Sequence, residues 1–137
     1  LLATGTGIAP FLSILKSDTV WRRYRRVVLV EAVRHASKLA YREEMERLKR
    51  EHEGRFDAVT FVSREQAPGA LAGRIPQAIL DGRLEAAAGV ALSAAGSQVM
   101  ICGNPDMVTD SVAALAQRGM KKHRRRSPGH ITVENYW

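Results

Sequence analysis

Leu1-Leu2-Ala3-Thr4-Gly5-Thr6-Gly7-Ile8-Ala9-Pro10-Phe11 opens the chain. A short apolar run enters a Gly-x-Gly turn and passes into the first turn of a helix. This order of residues is phosphate-loop chemistry. Gly5 and Gly7 permit a tight reversal and let a pyrophosphate approach bare backbone, while the N–H groups of a helix beginning near Ile8 direct partial positive charge at the anion. Pro10 fits the first helical turn, where a missing N–H costs little. Phe11 stands where a full G-x-G-x-x-G/A fingerprint has its third small residue, so this loop alone is equally readable as a plain turn. The rest of the chain has to decide.

Downstream, strand and helix signals alternate. Val27 to Val33 is an apolar, β-branched run of the length of a buried strand. Ser37 stands as a helix N-cap, and Leu39, Tyr41, Met45 and Leu48 recur among charges up to Glu53-Gly54, predicting an amphipathic helix stopped by glycine. Phe56 to Val62 reads as the next strand, Gly73-Arg74-Ile75-Pro76 starts a short helix reaching Leu80, and Leu84 to Ala95 is alanine-rich and ambiguous. Val99 to Cys102 is a strand, Pro105 to Arg118 a helix and His130 to Glu134 a last strand. Alternation of this kind predicts parallel pairing with right-handed crossovers: an α/β fold with an open, doubly wound, mostly parallel five-stranded sheet, Rossmann-like. With 137 residues, 45% of them hydrophobic, residues 1–137 form one domain with a single core.

Ligands of such sheets bind at the carboxyl ends of the strands. The glycine loop, Arg34, Arg64 and Cys102-Gly103 all fall there. An NAD site usually ends its second strand with a carboxylate on the ribose 2′-OH; here Glu31 lies within the strand and Val33-Arg34-His35 ends it. Arg34, Arg64 and Arg74 at adjoining loop positions, each with a planar fork for a phosphate, favour NADP over NAD. Ser63 adds a hydroxyl. Each arginine alone is equally a solvated surface residue; the set is what points to a 2′-phosphate.

With Cys102-Gly103-Asn104-Pro105-Asp106-Met107 and the terminal Thr132-Val133-Glu134-Asn135-Tyr136-Trp137, the opening loop resembles the NADP-binding half of the bacterial ferredoxin-NADP (flavodoxin-NADP) reductases, which carry a GTGIAPF-like loop, a CGNPxM segment and a terminal VExYW. The likeness spans nearly the whole chain. It implies NADP and FAD as cofactors, hydride transfer between them, and a ferredoxin or flavodoxin as electron partner. Arg34, Arg64 and Arg74 match the family positions that hold the 2′-phosphate. Thr4, Gly5, Thr6, Gly7, Ser63, Gly103, Asn104 and Asp106 join them as cofactor-binding candidates, with Thr6 expected near the flavin. By the resemblance Cys102 lies beside the nicotinamide, Glu134 lies near nicotinamide and flavin, and Tyr136 and Trp137 pack on FAD. Other readings stand beside these. Cys102 also reads as an inert core residue, Asn104 and Asp106 as helix caps, and Glu134 as a surface carboxylate. The family's flavin barrel, with its Arg-x-Tyr-Ser-like signature, is absent from this sequence, which also has no initiator Met. The expectation is therefore a C-terminal NADP-binding domain, inactive alone.

The formal net charge is +7, clustered in Arg22-Arg23-Tyr24-Arg25-Arg26 and Lys121-Lys122-His123-Arg124-Arg125-Arg126. No nucleic-acid module or row of stacking aromatics accompanies it, and a solvated surface is the plain alternative for either run; the resemblance implies an acidic redox protein as the partner rather than nucleic acid. No stretch reaches the ~20 apolar residues of a membrane helix. His35, His52, His123 and His130 have no ligand spacing, so no metal is expected. A single cysteine suits the reducing cytoplasm, and a monomer is expected. The competing functional readings are a nucleotide-binding module without turnover and a basic nucleic-acid-binding domain.

Overall fold

The computed structural model describes residues 1–135; Tyr136 and Trp137 lie outside the described residues. The strands are β1 (Leu2–Thr4), β2 (Val27–Val33), β3 (Phe56–Val62), β4 (Leu71–Ala72), β5 (Val99–Gly103) and β6 (Ile131–Asn135), and the α-helices are α1 (Ile8–Leu15), α2 (Asp18–Arg23), α3 (Arg42–Glu51), α4 (Ile75–Asp81), α5 (Arg83–Ala88) and α6 (Pro105–Ala116). All strand pairs are parallel, in the order β4-β3-β2-β1-β5-β6.

Both faces of the sheet are covered, which is why its strands read as unbroken apolar runs rather than alternating ones. Side chains still alternate between faces. Leu2, Val30, Ile101 and Val99 meet α4, α5 and α6 through Ile75, Ile79, Leu84, Val108 and Leu115. Ala3, Val27, Leu29 and Cys102 meet α1, α2 and α3 through Ile8, Phe11, Leu12, Leu15, Val20, Met45 and Leu48. Burying the larger of these side chains stabilises the fold by roughly 1.5–3 kcal/mol each.

The doubly wound parallel sheet agrees with the sequence reading, and the differences are local. Among the described residues the sheet has six strands, not five: β4 has two residues, paired only as Phe61↔Leu71 and Val62↔Ala72, too short to leave a periodic signal. Ser37 caps no helix. Residues 36–38 form one 3-10 turn, and α3 starts at Arg42 after Tyr41, whose φ of 62° is left-handed. Leu39 and Tyr41 therefore stand outside the helix, and Met45 and Leu48 are its buried residues. Helix α2 lies where the basic cluster hides its periodicity. The ambiguous alanine-rich stretch resolves into α5, stopped by Gly89 at φ 67°. Helix α6 ends at Ala116, two residues before Arg118.

Candidate functional site

Strand order reverses between β1 and β5, because the chain builds outward through β2, β3 and β4 and then crosses to the other side of β1. Such a switch point opens a crevice at the carboxyl ends of its two strands. Thr4 and Gly103 line it from either side. The Asn104 backbone N–H donates to Thr4 Oγ1 at 2.8 Å. Gly103 has φ 143°, and a Cβ there would stand 2.1 Å from Thr4 Oγ1, so only glycine permits this contact. Asn104 then opens α6, its Oδ1 accepting the N–H groups of Asp106 at 2.9 Å and Met107 at 3.3 Å. The capping reading of Asn104 holds, and Asp106 is the acidic residue of the first turn.

Gly5, Thr6 and Gly7 form one 3-10 turn leading directly into α1. Gly5, with φ 53°, and Thr6 are exposed at the mouth of the crevice. Gly7 differs from expectation. It is buried, and a Cβ on it would meet the Cys102 carbonyl oxygen at 2.3 Å. Its missing side chain lets the loop pack on β5 and is not free for a phosphate on that side.

Arg34, Arg64 and Arg74 follow the ends of β2, β3 and β4. Ladder bonds bring their backbones together: Ser63 N donates to the Val33 carbonyl at 3.0 Å, Arg64 N to the Arg34 carbonyl at 2.9 Å, and Gly73 N to the Val62 carbonyl at 3.3 Å. All three side chains are exposed, and among the described residues none is in an ion pair or hydrogen bond. The three loops thus place three cationic side chains on one edge of the sheet's carboxyl end. Ser63, half-buried, stands among them.

Cys102 is fully buried between Ala3 and β6. Burial first, and the Glu134 carboxylate on the paired strand second, push its thiol up. That direction disfavours the thiolate form a nucleophile would need. Glu134 is exposed at the Cys102↔Glu134 register. Among the described residues no group of His, Cys, Asp and Glu is arranged to hold a metal.

Sequence reasoning missed the residues that brace the arginine corner. Glu65 Oε1 accepts the Ala36 N–H at 2.6 Å, tying the loop after β3 to the loop after β2. Arg83 reaches back across eleven residues to the Ala72 carbonyl. Neither contact has a sequence signal, since each joins segments that only the tertiary fold brings together.

The sequence model of the oxidoreductase NAD-binding domain family matches residues 1–113. The chain is 48% identical over 138 residues to a flavodoxin/ferredoxin-NADP reductase of Shigella flexneri and 47% identical to one of Escherichia coli, covering 100% of this chain and 56% of each relative. In structure it is similar to a ferredoxin NADP+ reductase from Neisseria gonorrhoeae with bound FAD and NADP, with a TM-score of 0.92 and 36% identity, over 99% of this chain and 55% of that one. The chain thus spans just over half the length of these relatives, matching their C-terminal part.

Proposed function

Because the chain belongs to the oxidoreductase NAD-binding domain family, we propose that it is the NADP-binding domain of a flavin-dependent ferredoxin/flavodoxin-NADP reductase. The observation that carries this reading is the corner of three unpartnered guanidinium groups at the ends of β2, β3 and β4. That donor set fits a ribose 2′-phosphate and is redundant for a bare 2′-OH. The 36% identical relative that holds both FAD and NADP supports the same pair of cofactors here.

In the proposed enzyme, bound nicotinamide and flavin would supply hydride exchange between them and single-electron exchange to or from an acidic ferredoxin or flavodoxin. The residues of this chain bind and orient. Arg34, Arg64 and Arg74, with the Ser63 hydroxyl, grip the 2′-phosphate. Exposed Gly5 and Thr6 at the start of α1 offer backbone N–H groups to the pyrophosphate. Thr4, Gly103, Asn104 and Asp106 form the rigid wall of the crevice. Cys102 gives that wall an apolar backing, and Glu134 brings its exposed carboxylate to the flavin side of the crevice. The chain acts as one half of a two-domain monomer in the cytoplasm, where a free thiol such as Cys102 persists.

Charge-assisted hydrogen bonds contribute roughly 1.5–3 kcal/mol each. Arg64→Ala in the complete enzyme should therefore weaken NADPH by about 10- to 100-fold and leave NADH nearly unchanged. Equal losses for the two nucleotides in steady-state kinetics would refute the assignment.

A further inference from the structure

We propose that Asp81 and Arg83 form a clamp that positions Arg74 for the 2′-phosphate, a role that rests on the NADP reading above. Arg74 follows the weakest strand of the sheet. Only two residues of β4 join the ladder, and the next bond, from Gly73 N to the Val62 carbonyl, is long at 3.3 Å. The turn 72–74 is thus poorly held on its inner side. On its other side Arg83 Nη1 donates to the Ala72 carbonyl at 2.6 Å, and Arg83 Nε donates to Asp81 Oδ2 at 2.9 Å. Asp81 Oδ1 accepts the Arg83 backbone N–H at 3.0 Å, fixing the carboxylate from a second direction.

Gly73 completes the fit. Its φ of 99° favours glycine, and a Cβ placed there would press on Arg83 Nη2 at 3.2 Å. Both ends of α4 are therefore tied together through one side chain: Asp81 is its last residue, and Arg74, its N-cap, leaves the clamped turn in extended conformation. An exposed pair of this kind adds little to global stability. What it adds is geometry, since a planar fork bridging a carbonyl and a carboxylate permits one arrangement where a point charge permits many.

Two variants separate geometry from charge. Asp81→Ala breaks the clamp while making the corner more positive. Arg83→Lys keeps the charge but cannot bridge both acceptors. In binding titrations of NADP+ and NAD+ on the holoenzyme, the clamp predicts that each variant weakens NADP+ by about threefold to tenfold, leaves NAD+ unchanged, and raises KM for NADPH without lowering kcat. The melting temperature should move by no more than about 3 °C. Tighter NADP+ binding by Asp81→Ala with unchanged binding by Arg83→Lys would mean that charge alone acts, and overturns the proposal. Equal losses for both nucleotides, or a larger fall in melting temperature, would reduce the pair to a structural role and likewise overturn it. Failure of the underlying reading looks different: the unaltered holoenzyme would then bind NAD+ as well as NADP+.

Discussion

Glu31 is the residue whose surroundings conflict most with its chemistry. It is 1% exposed in the middle of β2, its Oε1 accepting the Ala40 N–H at 3.2 Å and its Oε2 without a partner. Burial pushes its carboxyl above the usual 4.5, and the Ala40 N–H offsets only part of that. For an acid whose native value is raised, the contribution to stability is complete below the unfolded value and is lost as pH rises through the native one. Glu31→Gln keeps an acceptor for Ala40 and removes the buried charge. It should gain about 1 kcal/mol at pH 7 and nothing at pH 4. Urea melts of both proteins from pH 4 to 8 check it; parallel curves would show that Glu31 has a partner in solution.

At the scale of elements, two glycines at the switch point, Gly7 and Gly103, leave no room for a side chain. Gly103→Ala drives a Cβ into Thr4, and Gly7→Ala drives one into the Cys102 carbonyl. Each should cost about 3 kcal/mol or more, combining overpacking with strain at Gly103. Gly54 makes the contrast: its φ is 76°, but nothing lies within 4 Å of a Cβ there. Gly54→Ala should cost only the left-handed penalty of about 1–2 kcal/mol. Removing the α6 cap by Asn104→Ala should cost about 1 kcal/mol, with Asp restoring most of it. Denaturation midpoints rank the four. The same scale shows where periodicity fails as a guide. Helix α6 is legible because Asn104 and Pro105 mark its start. Helix α3 is displaced because Tyr41 enters it from a left-handed conformation that residue identity does not announce.

Across the whole molecule, charge is divided between two ends of the sheet. The arginine corner occupies the carboxyl ends of β2, β3 and β4. Lys121 to Gly129 form an exposed basic hairpin at the opposite, amino-terminal end of edge strand β6, where Lys122 bridges to Ile131. Arg124 and Ser127 exchange both backbone bonds at 3.0 Å, and His123 Nδ1 accepts the Gly129 N–H at 3.2 Å, so the hairpin is held in shape. An acidic redox partner steered to it would not compete with the nucleotide. Replacing Lys122, Arg124, Arg125 and Arg126 by serine should lower kcat/KM for ferredoxin or flavodoxin by about tenfold at low salt, an effect fading as ionic strength rises, and spare NADPH-dependent dye reduction. Losing both activities together would place the hairpin in the fold instead. The amino-acid sequence by itself determined the parallel α/β class, five of the six strands, the glycine loop, the Asn104 cap and the three arginines. These follow from local patterns: apolar runs of strand length, caps, and residue types at strand ends. Tertiary structure alone decided that Gly7 packs on the Cys102 carbonyl, that β4 exists, that Glu31 is buried without a partner for Oε2, and that Arg83 joins Asp81 to the Ala72 carbonyl. Each of those depends on segments far apart in the chain meeting within a few ångströms, which no local pattern encodes.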